Sequence, residues 1–320
     1  MTRQEILAAT DEWFLEHGLS YFVPEKRADV RNALRLKRTV PLVLVVALLA
    51  AGAGVAIAVV TDEFSAAPAV LVTLGGLALL WYALTALHAR QIVGWALGRT
   101  LGSLRFLLPM TTRALPLLLL AITFLFINTE MWQVGGNLTI GALWLVILLF
   151  AALAIGFLLV RLPEEVDRAD DDVDDAFLLR TTAKTPLAET ARELVDDPDA
   201  DPASYAEVTG YERWNLIMVL MIVQFVQVLL LSLMVFAFLL LFGSLIMSGT
   251  VMEAWQTPEP FNTSRALVQV SAFLASFSGL YLTVSTVTDE AYREQFFGSV
   301  TRELERAVGV RAVYLALRAR

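Results

Sequence analysis

The chain has 320 residues, 57% of them hydrophobic, and a formal net charge of −8. Soluble domains contain about 45–50% apolar residues, and the excess here lies in long uncharged runs, which excludes an ordinary soluble domain and indicates membrane spans. The absence of cysteine excludes disulfides and thiolate metal sites, and two histidines leave little for imidazole chemistry.

The polar leader, residues 1–38, is predicted to be helical. Four arginines in it recur at i, i+4, i+8 and i+11, on one face of a helix that Pro24 opens: Arg27, Arg31, Arg35 and Arg38. Such a face would contact anionic lipid headgroups. The simpler interpretation is that these charges only set the topology.

Six apolar segments are predicted to cross the bilayer, because about 20 residues of helix span about 30 Å of hydrocarbon. They are 39–60, 66–87, 112–128, 138–160, 216–247 and 266–287. The fifth would be about 48 Å long at 1.5 Å per residue. We interpret it as one helix that must tilt, protrude or break, with Gly243 and Ser244 as the expected weak point.

Basic residues alternate between the connections. The leader, loop 88–113, segment 161–213 and tail 288–320 hold every Lys and Arg except Arg265. The positive-inside rule therefore predicts a plasma-membrane protein with both termini in the cytoplasm.

The sequence predicts an all-α integral membrane protein with amphipathic helices on the cytoplasmic side. The expected parts are a helical leader (1–38), transmembrane helices one to four with an interfacial helix at 88–108 (39–160), an acidic loop (161–213), transmembrane helices five and six (214–287) and an amphipathic tail (288–320).

Glycine recurs at every fourth position after the second span, at Gly94, Gly98 and Gly102. This spacing produces a flat face that allows another helix to approach closely. We predict a helix–helix contact there, and a loosely ordered linker is the alternative.

The acidic loop carries sixteen Asp/Glu and four Lys/Arg between residues 162 and 212, a net charge of −12. Its two Asp-x-Asp-x-Asp runs lack the Gly and Glu that a calcium-binding EF-hand loop needs at positions 6 and 12. The sequence therefore predicts no metal site, and a solvated segment that is largely mobile between Asp167 and Pro202.

The sixth span carries small and polar residues on one helical face, together with apolar residues such as Val270 that are expected to face lipid. The fifth span carries two amides that need partners at membrane depth, and Gln269 is one candidate partner. The candidate residues of a packing seam or a pore are Gln224, Gln227, Gln269, Ser276, Gly279 and Thr283.

Apart from Arg113 at the very start of the third segment, no Asp, Glu, Lys, Arg or His lies inside a predicted span, and no phosphate-binding loop or dinucleotide fingerprint occurs. We therefore expect no enzyme, no cofactor and no nucleic-acid partner. The favoured function is a membrane interaction or scaffold subunit that contacts the lipid bilayer and a second membrane protein or another copy of itself. The alternative is an oligomeric passive channel lined by the fifth and sixth spans.

Overall fold

The computed structural model describes residues 2–102, 118–170, 173–247, 251, 265–288 and 290–320. These residues are all-helical, with two short 3-10 helices at Ser20–Phe22 and Pro202–Tyr205. The thirteen α-helices are α1 (Arg3–Glu16), α2 (Pro24–Ala33), α3 (Leu36–Thr61), α4 (Ala66–Ala86), α5 (Ala89–Gly102), α6 (Leu118–Phe126), α7 (Thr129–Gly136), α8 (Ile140–Asp170), α9 (Asp175–Thr182), α10 (Ala188–Val195), α11 (Gly210–Ile246), α12 (Arg265–Thr288) and α13 (Glu290–Ala319).

Within the described ranges, five helices are long and apolar enough to cross a membrane, namely α3, α4, α8, α11 and α12. A sixth span results if α6 and α7, which meet at an angle of 76°, are counted as one broken span. The chain is therefore a multi-pass membrane protein, as predicted. Segment 112–117 lies outside the described residues, as does segment 103–108 of the predicted interfacial helix.

The third predicted span is not a single straight helix to residue 128. Helix α6 ends at Phe126, and α7 occupies the segment 129–137 that was predicted to be a loop. The physical reason is Asn128, whose extended backbone breaks the helix and whose side chain caps α7 by accepting a hydrogen bond from the Glu130 amide.

Helix α11 is a single helix of 37 residues, as the sequence predicted. At 1.5 Å per residue it is about 55 Å long, so it extends well beyond about 30 Å of hydrocarbon. It does not break at Gly243. The glycine instead allows Leu267 of α12 and Phe126 of α6 to pack directly against the backbone of α11. The expected weak point is instead a close packing contact.

Helix α12 lies between α8 and α11 and contacts both of them. Helix α7 covers the beginning of α12, where Gly135 lies against Val270. The prediction that Val270 faces lipid is therefore wrong, since its side chain is fully buried. Helix α3 packs mainly on α4, and Gly54 permits this because a Cβ there would lie 2.6 Å from the Ala67 carbonyl oxygen.

Both chain termini and the acidic segment fold together at one end of the bundle. We call this part the terminal domain and define it as residues 2–33, 173–212 and 301–320. Its core consists of apolar side chains from all three parts: Phe14, Phe22, Phe177, Leu178, Leu187, Leu194, Val308 and Val313. The prediction that the acidic segment is largely mobile is therefore wrong, because its apolar residues pack against α13.

The tail also differs from the predicted amphipathic surface helix. Helix α13 continues through Gly309, where the missing side chain makes room for Thr181 of α9. Six consecutive buried or nearly buried residues follow, from Val310 to Leu315. This end of α13 is the central helix of the terminal domain.

Candidate functional site

An apolar groove of about 460 Å³ lies between α8, α11 and α12. Its walls carry aromatic side chains from α8 and α11, including Trp144, Phe150, Phe225 and Phe236. The small residues of the predicted seam form its floor, among them Ser276 and Gly279 of α12. The structure thus places three of the predicted seam residues, Ser276, Gly279 and Thr283, beside a concave surface within the bundle.

The hydroxyl groups on the floor do not make it polar. Ser276 Oγ donates to the Phe273 carbonyl at 2.8 Å, and Thr283 Oγ1 donates to the Gly279 carbonyl at 2.9 Å. Both hydrogen bonds lie within α12 and use each hydroxyl's donor. The groove therefore presents a surface that is suited to apolar ligands.

Gly279 is also a point of close approach between α11 and α12. A Cβ at this position would lie 2.5 Å from Ser232 Oγ and 3.4 Å from Val228 Cγ1 of α11. A second close contact joins Gly243 to Leu267. These two contacts fix the antiparallel register of the helix pair.

Because of that register, Gln227 of α11 and Gln269 of α12 lie at two different heights along the helix axes, which we call levels. Gln227 and Gln269 are both buried, but Gln269 lies level with residue 241 of α11. The two levels are therefore about 14 residues, or about 21 Å, apart along the helix axis. The predicted partnership between Gln269 and the α11 amides is wrong for this reason. Gln269 Nε2 instead donates to the Leu138 carbonyl at 2.8 Å.

Each polar level contains an incompletely paired amide. The Oε1 atoms of Gln227 and Gln269 are buried and accept no hydrogen bond within the described residues. Gln224, one turn before Gln227, is 1% exposed. Between the two levels, α11 buries only apolar side chains, at Leu231, Val235 and Leu239.

The four leader arginines do not share one helix face. Helix α2 ends at Ala33, and Arg35 has an extended backbone (φ −61°, ψ 128°), so Arg38 belongs to α3. Arg27 is half-buried, and its guanidinium is already engaged by Glu212 and by the carbonyl groups of Tyr21 and Phe22. Arg31, Arg35 and Arg38 are exposed, and their contact with anionic lipid stays a prediction.

Arg27 belongs to a charge cluster that the sequence did not reveal. Glu212, in the first turn of α11, is 4% exposed. One of its carboxylate oxygens accepts from Arg27 Nη2 at 2.5 Å, and the other accepts from Arg311 Nε at 2.5 Å. The cluster joins the leader, α11 and α13, which are far apart in sequence.

Further hydrogen bonds complete this junction. The Asn215 side chain is fully buried and accepts from the Tyr21 amide at 2.8 Å while its Nδ2 donates to the Gly18 carbonyl at 2.9 Å. Tyr21 Oη donates to the Leu87 carbonyl, and burial raises the pKa of this phenol to about 12. Charged and amide residues just before an apolar span were the only signal in the sequence, and their partners could not be inferred from it.

The glycine face of α5 is exposed. Helix α5 packs through Ile92, Ala96 and Thr100, which are buried on the opposite side. A Cβ at Gly94, Gly98 or Gly102 would meet nothing within 4 Å. The predicted helix–helix contact is not made within the described residues, and contact with another molecule stays a prediction.

No family model matches the chain, and neither a characterised protein nor a solved structure matches it. Across the described ranges, no group of three or more His, Asp or Glu side chains is arranged to hold a metal ion.

Proposed function

We propose that the protein is a non-enzymatic interaction or scaffold subunit of a membrane assembly. The observation that carries this proposal is the terminal domain, in which three separate parts of the chain fold together. The Glu212 cluster joins that domain directly to a spanning helix. A packed domain that continues into a spanning helix can hold a partner at a defined distance from the bilayer.

The surface of the terminal domain indicates the charge of that partner. Exposed carboxylates follow α10 and the turn after it: Glu189, Glu193, Asp196, Asp199 and Asp201. Complementary charge steers association and suppresses wrong partners. We therefore infer that the partner presents a basic surface.

The alternation of basic residues supports a cytoplasmic location for this domain. Both termini lie at the same end of the bundle, joined by the hydrogen bond from Tyr314 Oη to Asp11 at 2.8 Å. Termini at the same end of the bundle are expected of a chain that crosses the membrane an even number of times. Reporter fusions after Ser65 and Gly135 should give external signals, and a fusion at the C-terminus should give a cytoplasmic one. A cytoplasmic signal at Ser65 or Gly135 contradicts this orientation.

The passive channel remains the second candidate because Gln227 and Gln269 each bury an unpaired carbonyl oxygen. Such oxygens are satisfied by water in a hydrated path. Between their levels the buried side chains of α11 are apolar over about 21 Å, which argues for the scaffold, although α12 buries the hydroxyls of Ser271 and Ser278 over the same distance. Solute flux into vesicles that contain the purified protein, blocked by Gly279→Leu, would support the channel.

The scaffold is tested by purification from the native membrane in mild detergent and quantitative mass spectrometry of what is retained. We expect a partner in near-stoichiometric amounts with the wild type. The double variant Glu189→Lys/Glu193→Lys should lose it, because both exposed side chains lie one turn apart on α10. Glu130→Lys reverses the charge of an exposed side chain on α7; it is the matched control and should retain the partner. Equal retention by the double variant contradicts the proposal.

A further inference from the structure

We propose that the groove between α8, α11 and α12 binds one acyl chain of a bilayer phospholipid. All three helices are apolar enough to span the membrane, so a groove between them opens toward hydrocarbon. Its rim is exposed on α8 and α11, at Trp144, Leu229 and Leu233. This site does not depend on the scaffold role proposed above.

The chemistry of the groove selects an apolar occupant. Apart from Ser232 its walls are aliphatic and aromatic, and the hydroxyls of Ser276 and Thr283 donate within α12. A polar ligand transferred here would lose hydrogen bonds to water without replacing them, which is unfavourable. An acyl chain makes no hydrogen bonds to water and therefore loses none on entering the groove.

The size of the groove distinguishes a lipid chain from a helix. Its volume of about 460 Å³ lies within the range of about 300–1,000 Å³ that is typical of small-molecule sites. A 20-residue helix, about 10 Å wide and about 30 Å long, displaces several times that volume. The lining of α8 runs from Trp144 to Leu158, which is about 21 Å along the helix axis. A long and narrow groove of this length fits an extended acyl chain.

The charge at one end of the groove indicates that the chain belongs to a phospholipid. Arg161 follows Leu158 by three residues on α8 and therefore continues the same face of the helix. Its side chain is 33% exposed and pairs with Glu164 at 2.7 Å. A guanidinium at this position can donate charge-assisted hydrogen bonds to a phosphate. We therefore place the headgroup at the Arg161 end.

The test uses the full-length protein in phosphatidylcholine vesicles that contain phosphatidylglycerol with a photoactivatable acyl chain. After irradiation, mass spectrometry maps the labelled residues. We expect adducts concentrated on the groove-facing side of α8, α11 and α12. Ala154→Phe, which fills the groove, should reduce them by about tenfold. Ala152→Phe, an exposed position on the same helix outside the groove, is the control and should leave them unchanged.

Three results would overturn the proposal. Adducts on the exposed face of α3, for example at Leu48, as abundant as those in the groove would indicate only bulk lipid contact. Adducts that survive Ala154→Phe in a protein that melts like the wild type would place the chain elsewhere. Groove adducts that disappear as the protein density in the vesicles is raised would make a second copy the occupant. The wild-type map decides the question even if Ala154→Phe fails to fold.

Discussion

At the scale of single residues, Glu212 is the most consequential side chain that hydropathy could not reveal. Its carboxylate is buried between the guanidinium groups of Arg27 and Arg311. Arg311 is itself 8% exposed, and its Nη1 also donates to the Tyr205 carbonyl at 2.6 Å. A buried ion pair loses its hydration and is tolerated only where its hydrogen bonds are complete. Removal of one member therefore leaves a charge without a partner.

Glu212→Gln should destabilise the terminal domain by about 3–5 kcal/mol, the range for a broken buried ion pair. The measurement is thermal or denaturant unfolding of the purified protein, followed by the tryptophan fluorescence, to which Trp13 of the same domain contributes. The control is Asp167→Asn, which breaks the exposed pair between Asp167 and Arg213 and should cost about 0–1 kcal/mol. Equal effects of the two variants would show that the Glu212 cluster is not energetically special.

The raised pKa of Tyr314 predicts that the folded protein loses stability at high pH. Burial, followed by its hydrogen bond to Asp11 and the charge of that carboxylate, raises the pKa of Tyr314 to about 12 from its ordinary 10.0. A raised pKa favours the neutral phenol in the folded state. The contribution to stability is therefore complete below pH 10 and is lost as the pH rises from 10 to 12.

The measurement is the melting temperature as a function of pH. Tyr314→Phe should reduce the decrease between pH 10 and 12, to which Tyr21 with its similarly raised pKa also contributes, and should lower stability at neutral pH by about 1 kcal/mol through the lost hydrogen bond. Tyr205→Phe removes a 38% exposed phenol and should leave the decrease in place. A profile that is unchanged in Tyr314→Phe would assign the decrease to other groups.

At the scale of helices, the seam between α11 and α12 is tested by Gly279→Leu. A Cβ at this position already meets Ser232 Oγ at 2.5 Å, so a larger side chain must displace the Ser232 hydroxyl and press against Val228 of α11. Overpacking of this kind costs about 1–3 kcal/mol, and more where the backbone must move. The matched control is Val268→Leu, because Val268 is 43% exposed on the same helix.

Melting in detergent and size-exclusion chromatography distinguish the outcomes. A lower melting temperature for Gly279→Leu alone supports tight packing of the two helices. Normal melting combined with lost vesicle flux would support a path. If Gly279→Leu and Val268→Leu melt alike and elute alike, the seam has no structural importance.

The helices also show what the sequence could and could not predict. Five of the six span positions were predictable because hydrocarbon thickness fixes the length of an apolar helix. The environment of Val270 was not, because lipid and a neighbouring helix are equally apolar and select the same residue. Gly135 of α7 supplies that environment, and α7 had been predicted to be a loop. Likewise, the glycines of α5 predicted a contact face that the described residues leave open.

At the scale of the whole molecule, composition was misleading for the acidic segment. A net charge of −12 between residues 162 and 212 is typical of a disordered chain. The few apolar residues of the segment are nevertheless spaced to bury one face on α13, with Phe177 and Leu187 among them. The surface of α13 against which these residues pack lies more than 100 residues away in sequence. A segment-by-segment interpretation therefore cannot detect it.

This dependence on a distant helix yields a prediction about folding of the terminal domain. Removal of residues 302–320 takes away the surface that Phe177 and Leu178 pack against, since Gly309 lies directly beside Thr181. Hydrogen exchange of the amides of α9 and α10 should then change from slow to fast. The amides of α8 within its apolar stretch should stay protected, because their hydrogen bonds lie in the membrane.

Arg320→Ala, which removes only an exposed pair with Asp197, should leave α9 and α10 protected. Protection that persists after the truncation would mean that the acidic segment folds by itself. Fast exchange in the full-length protein would mean that its charge prevents folding, as composition alone suggests.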